Sequence, residues 1–234
     1  MNKTLNSDIT YFCENGGQLL DVMLGSNVYM HSRATKNTNL RYLTIVNKLL
    51  NKFDENKFTI NYLFKNNTKS EIIAEWIPEE LMLSTWSCYN LRRTKMCGTC
   101  WNCFITYMSA LAAGINEKYL IFEVNPLTDS IDSDVYLNNQ NIIYDLLVFY
   151  EKVINNEKNT HNILDEFNIY FTNPYELAKN FGLDIFLGVK TLLKKEKQRN
   201  GLGIKAESLL KRIDKKDLED RQEFLLSLKT KKNR

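Results

Sequence analysis

The sequence is poor in the residues that usually announce chemistry. Among 234 residues there are two histidines, His31 and His161. Neither has a Ser, Cys or carboxylate partner at a recognisable spacing, so no nucleophile–base triad can be built. No apolar run reaches transmembrane length, and the first twenty residues lack the apolar stretch of a secretory signal. A cytoplasmic location with no membrane partner is therefore expected. The net charge of +3 is too small to argue for a polyanionic partner by itself. There is no internal repeat and no long low-complexity tract. Hydrophobic residues make up 44% of the chain, enough for a real core, and the length suits one large domain or a domain with an appendage.

Cysteine is scarce too, but it is concentrated. Of the five cysteines, four lie between Thr85 and Gly114, at Cys88, Cys97, Cys100 and Cys103. In this C-x8-C-x2-C-x2-C run, two C-x2-C pairs overlap at Cys100, a spacing at which thiolates can turn onto one metal, and Cys88 can return as the fourth ligand. Gly98 lies inside the first pair, where a tight turn favours a residue tolerant of positive φ. Four thiolates leave no open position for water, so the expected metal is a structural zinc. Buried apolar thiols are the plainer alternative, but a polar loop flanked by Lys and Arg is a poor place for them. A disulfide framework suits neither the composition nor the cysteine-free half of the chain. Cys13 reads as a buried free thiol. Arg92, Arg93 and Lys95 beside Tyr89 and Trp101 suit nucleic-acid stacking, but a solvated loop with one anchored aromatic is the favoured reading.

In chain order, Ile9 to Cys13 suggests a short strand. The Gly16-Gly17 pair after it lacks the serine and aspartate of a pyrophosphatase loop and reads as a turn. Leu19 to Leu24 is an apolar run, helix or strand. A helix is expected over 37–53, with Leu40, Leu43, Val46, Leu49, Leu50 and Phe53 on one face. Alternation over Phe58 to Phe64 predicts a strand. A helix from Lys69 to Trp76 should be capped by Thr68, with Glu71 completing a capping box. Phe104 to Ala113 should be a helix starting on the last cysteine and closed by Gly114. Tyr119 to Val124 reads as a strand. Asp129, Asp132 and Asp134 lack the glycine and distal Glu of a calcium loop and read as a solvated loop or cap. Helices are expected over 141–154, from Pro174 to Lys179, over 185–193 and over 206–228, with 199–203 as a linker and a basic tail after Leu228.

The order Thr-Trp-Ser-Cys-Tyr, then Cys-Gly-Thr-Cys-Trp-Asn-Cys, then a helix ending Ala-Ala-Gly resembles the zinc module of the 7-cyano-7-deazaguanine synthases. That family makes the nitrile-bearing base that precedes queuosine. Upstream, Asn61 to Phe64 followed by Lys69-Ser70-Glu71-Ile72-Ile73 is similar to the family's strand and helix start. Gly25-Ser26-Asn27 with Tyr29, His31 and Ser32 is similar to an earlier strand end. The resemblance covers about residues 22 to 116.

The resemblance implies that Cys88, Cys97, Cys100 and Cys103 hold zinc. It also implies an α/β fold: the C-terminal part of a nucleotide-α-hydrolase-like (PP-loop ATPase) parallel sheet over residues 1–116, with the zinc loop at 85–114. A mainly helical extension would fill 117–234. Family members activate a carboxylate with ATP, but no stretch here matches their phosphate loop, and 33–39 lacks the acidic, proline-containing substrate loop. No catalytic residue is assigned. If the protein is an enzyme, it is an ATP-dependent ligase whose ATP site comes from a partner. The expectation is a subunit or diverged relative in modified-nucleobase synthesis or anti-phage defence. Its partner, or a second copy, would cover a sheet edge near Tyr11, Phe12, Leu19, Leu20 and Val22. The alternatives are a non-catalytic zinc-stabilised interaction scaffold and a nucleic-acid-binding zinc module.

Overall fold

The computed structural model describes residues 9–12, 40–53, 59–85, 87–88, 95–130, 134–155 and 164–232. Cys13, the Gly16-Gly17 turn, the run 19–24, His31, the stretch 33–39, Tyr89, Arg92, Arg93, Asp132 and His161 lie outside the described residues. The elements are β1 (Ile9–Phe12), α1 (Leu40–Phe53), β2 (Thr59–Tyr62), α2 (Lys69–Trp76), a 3-10 turn (Glu79–Ser84) and α3 (Trp101–Ala112). A second 3-10 turn (Glu117–Tyr119), α4 (Asp134–Asn155), a third turn (Asp165–Phe167), α5 (Pro174–Lys195), α6 (Gly201–Leu210) and α7 (Lys215–Lys232) complete the order.

The protein is mostly helical. In place of the expected parallel sheet, the described residues hold a single parallel pair, with Ile9 opposite Thr59 and Phe12 opposite Tyr62. The apolar segment after Gly114 does not add a strand. Asn116 caps a 3-10 turn by accepting from the Lys118 amide at 3.1 Å. Beyond that turn only Phe122 bridges, to Met96, before Pro126. The first half is thus built mainly on α1, α2 and α3. The amphipathic α1 forms, but Leu49 and Leu50 on its apolar side remain 47% and 41% exposed.

Local capping chemistry sets the helix starts. Thr68 Oγ1 accepts from the Glu71 amide at 3.3 Å, and the Glu71 carboxylate accepts from the Thr68 amide at 3.1 Å. Asn173 caps α5 by accepting from the Glu176 amide at 3.0 Å, with Pro174 as the first helical residue. The expected pieces 174–179 and 185–193 are one helix, because Gly182 is a packing contact under Tyr150 of α4 and not a break. The expected linker at 199–203 is instead a helix start. Asn200 accepts from the Gly203 amide at 2.8 Å and donates to the carbonyls of Pro126 and Asp129 at 3.0 and 2.8 Å. The single helix expected over 206–228 divides at Asp214, which accepts from the Lys216 amide at 2.7 Å as α7 begins.

Helix α5 is the centre of the core. Phe181, Ile185, Phe186 and Val189 are fully buried, and α3, α4, α6 and α7 pack around the helix. One continuous apolar cluster runs from Ile73 to Leu228, so packing crosses position 116 without a break.

Within this apolar core sits one ionic network. Arg221 of α7 donates from Nε and Nη2 to the two oxygens of Asp184 at 2.8 and 3.0 Å, and its Nη2 meets Glu71 at 2.8 Å. Thr68 donates to Asp184 at 2.5 Å. Asp184 is fully buried and Arg221 is 5% exposed. The adjoining carboxylates hold the Arg221 guanidinium charged against the cost of burying it. Removing one member leaves a buried charge without its partner. Asp184→Ala is expected to lower unfolding free energy by about 3–5 kcal/mol. The exposed control Asp220→Ala should change it by less than about 0.5 kcal/mol. Urea denaturation of both variants checks this.

Candidate metal centre

The four cysteines converge. The Sγ atoms of Cys88, Cys97, Cys100 and Cys103 all lie within 4.8 Å of one another, and those of Cys97 and Cys103 are 3.8 Å apart. A tetrahedral zinc with Zn–S bonds of about 2.3 Å places its sulfurs about 3.8 Å apart. The donor set therefore fits a four-thiolate ion in both chemistry and spacing. Cys103 is fully buried, Cys88 and Cys97 are nearly so, and Cys100 is partly exposed.

Each ligand is placed by a nameable local cause. Cys100 is the N-cap of α3, its sulfur accepting from the Cys103 amide at 3.5 Å, while Cys97 Sγ accepts from the Cys100 amide at 3.4 Å. Both thiols of the second C-x2-C pair thus sit at a helix N-terminus, where amides and the helix dipole favour a thiolate. Gly98 makes the turn with φ 76°. A side chain there would be strained by that φ and would also drive its Cβ into the Val124 carbonyl. Cys88 is brought back by Asn102, whose side-chain amide donates to the Ser87 carbonyl at 2.9 Å. Ser87 in turn donates to the sulfur of Met96 at 3.3 Å.

The loop is fixed to the segment beyond α3. The Glu123 amide donates to the Met96 carbonyl at 2.7 Å, and Phe122 stacks on Tyr107 of α3 with ring centroids 4.5 Å apart. Cys88, Met96, Cys97 and Cys103 form a small cluster of their own, and Phe122 packs against both this cluster and the main core.

With protons on the sulfurs, the site shares them unequally. Hydrogen bonds from the Cys100 and Cys103 thiols pull Cys97 far below the usual thiol range. At Cys100, a hydrogen bond from Cys103 pulls downward but is outweighed by Cys97 and burial, which leave it at about 11. Bonding to Cys100 and Cys97, together with burial, holds Cys103 protonated. A metal ion must displace these protons to bind.

Among the described residues, the other candidates do not assemble into a site. Lys95 is exposed, while Trp101 is 6% exposed and part of the core, so it anchors the loop and offers no free face for base stacking. Asp129 accepts from the Asn125 amide at 2.8 Å across a turn, so it lies in a loop and caps no helix. Asn102, Met96, Phe122 and Val124, which fix the loop, carry no motif signal; only the glycine between the cysteines hints at the close contact with Val124. Among the described residues no helix is long and apolar enough to cross a membrane. No protein-family model, no curated protein and no solved structure matches the chain.

Two substitutions separate the geometry from the ligands. Cys100→Ser should release the metal and destabilise the protein by several kcal/mol. Gly98→Ala keeps every ligand but breaks the turn and its seat on Val124, so it too should bind zinc more weakly. Zinc retention against a chromophoric chelator, read beside thermal unfolding, tests both; a Gly98→Ala variant with wild-type retention would show that the turn is not needed.

Proposed function

We propose that the chain holds one structural zinc ion at Cys88, Cys97, Cys100 and Cys103. On this reading it serves as a subunit or diverged relative of the 7-cyano-7-deazaguanine synthases, in modified-nucleobase synthesis or anti-phage defence. The ATP loop would then sit on another chain. The observation that carries the metal is the set of four sulfurs within 4.8 Å at the start of α3. When bound, the ion supplies a four-way cross-link and no chemistry on a substrate, since a four-thiolate site leaves no open position. The family reading rests on the cysteine motif together with the order that precedes it: a parallel strand at Thr59–Tyr62, a Thr68/Glu71-capped helix, the cysteine loop, then α3.

A second reading, a non-catalytic zinc-stabilised interaction scaffold, draws on the continuous helical core from Ile73 to Leu228. A nucleic-acid-binding module is supported less, because one of the two aromatics it would use, Trp101, is packed inside.

Freshly purified protein is expected to carry about one zinc per chain. Metal analysis showing none would remove the basis of the reading. Alone, the chain is expected to give no AMP and pyrophosphate from ATP, because no stretch of its sequence matches the family's phosphate loop. A pyrophosphate-release assay on the repurified protein, repeated with candidate ATP-loop partners, separates the subunit from the scaffold.

A further inference from the structure

We infer that zinc occupancy of the cysteine loop and docking of the C-terminal end of helix α7 are coupled through Lys229. The inference rests on the zinc reading above and concerns what that site controls.

Lys229 reaches across to both stems of the cysteine loop. Its ammonium meets the Glu79 carboxylate at 2.6 Å and donates to the Gly114 carbonyl at 2.7 Å. Glu79 begins the 3-10 turn that runs to Ser84, just before Cys88. Gly114 follows α3, whose N-cap is Cys100 and whose third residue is Cys103. Lys229 therefore joins the two stems at 79 and 114, and the metal joins the tip at 88, 97, 100 and 103. Both close the same length of chain. Ordering a loop by one closure lowers the entropic cost of the second, so each should favour the other, and by equal amounts.

The coupling should be local. The first half of α7 is anchored elsewhere, by Arg221 on Asp184 and Glu71 and by Leu218 in the core. Those partners sit on α5 and α2, not on the cysteine loop. The last turns have only Leu225 and Leu228 buried, so Lys229 is a large part of what seats them. The ammonium also satisfies the carbonyl at the C-terminal end of α3, where a cation opposes the helix dipole.

The test uses the full chain, loaded with zinc or stripped by a chelator, and follows amide hydrogen exchange. Amides of residues 226–231 are expected to lose about two- to fivefold of their protection on stripping, the same factor as in the reverse direction. Those of 218–222 and of α5 should hold. In the reverse direction, Lys229→Met should weaken zinc about two- to fivefold in chelator competition, in line with a partly exposed ion pair. Lys229→Arg should restore most of the loss, and the surface control Lys215→Met should change nothing. Unchanged protection at 226–231, or a folded Lys229→Met protein with wild-type zinc affinity, overturns the coupling. Should stripping also expose α5, the Lys229→Met comparison alone decides. A chain that takes up no zinc at all overturns the coupling together with the reading of the site, and metal analysis identifies that failure before either arm is run.

Discussion

Gly188 of α5 lies against the backbone of Met108 in α3, so close that a Cβ at 188 would be driven into the Met108 carbonyl and Cα. Helices with ordinary side chains at their contact stay about 8–10 Å apart, and glycine removes what would hold these two away. The approach buries α3 almost entirely, from Trp101 to Ala112. Much else follows from it. Because α3 cannot tilt or slide without leaving α5, its N-terminus is a fixed platform, and two of the four cysteines belong to that N-terminus. The placement of these two cysteines therefore depends on a helix contact at Gly188 and Met108, beyond the cluster itself. A larger residue at 188 would be felt at Cys100 and Cys103 through the displacement of a whole helix.

The buried ionic network makes a different contribution. Arg221 joins α7 to α5 and α2 at once, and the hydroxyl of Thr68, which caps α2, also serves Asp184. A buried ion pair is weak evidence for stability, since desolvation offsets much of its attraction. Its geometric demand is strict, however: a planar guanidinium with two partner carboxylates accepts few arrangements of three helices. The polar surface of α7 has little other means of choosing its seat, because only Leu218, Leu225 and Leu228 of its apolar side chains are buried. The apolar contacts hold α7 on, and Arg221 sets where it sits.

What could be read from the sequence was local. The capping box at Thr68 and Glu71, the Asn173-Pro174 start, the positive φ of Gly98 and Gly114 and the helix over 141–154, within the observed Asp134–Asn155, all depend on neighbours within a few residues, and all are present. The convergence of the four cysteines was legible for the same reason. What failed was punctuation. Gly182 looked like a break and Arg199 to Gly203 like a linker, yet one is a contact with Tyr150 and the other carries the Asn200 cap of α6. A glycine chosen for close packing and a glycine chosen for a turn look alike in a sequence. The sheet expected over 1–116 came from a resemblance, and the described residues hold only the β1–β2 pair of it. The separate strand expected over Tyr119 to Val124 is reduced to one bridge, between Phe122 and Met96. Asp184 and Arg221 gave no signal, being 37 residues apart on different helices.

The attachment of the cysteine loop bears on what a metal there can do. The loop is held on one side by α3, on another by the Glu123 amide at Met96, and at its turn by the Val124 carbonyl above Gly98. These contacts involve backbone and buried side chains, so they survive only in one arrangement of the loop. A four-thiolate ion adds a further closure to a segment already fixed at three points. Phe122, stacked on Tyr107, already joins the small cysteine cluster to the main core, so a metal bound there would tie four more points of the loop to the same unit. A catalytic metal needs an open position and freedom to change coordination, and this arrangement provides neither. If a metal is held there by all four thiolates, any chemistry in which the chain takes part would lie on other residues or on another chain, and the metal would act through the shape it maintains.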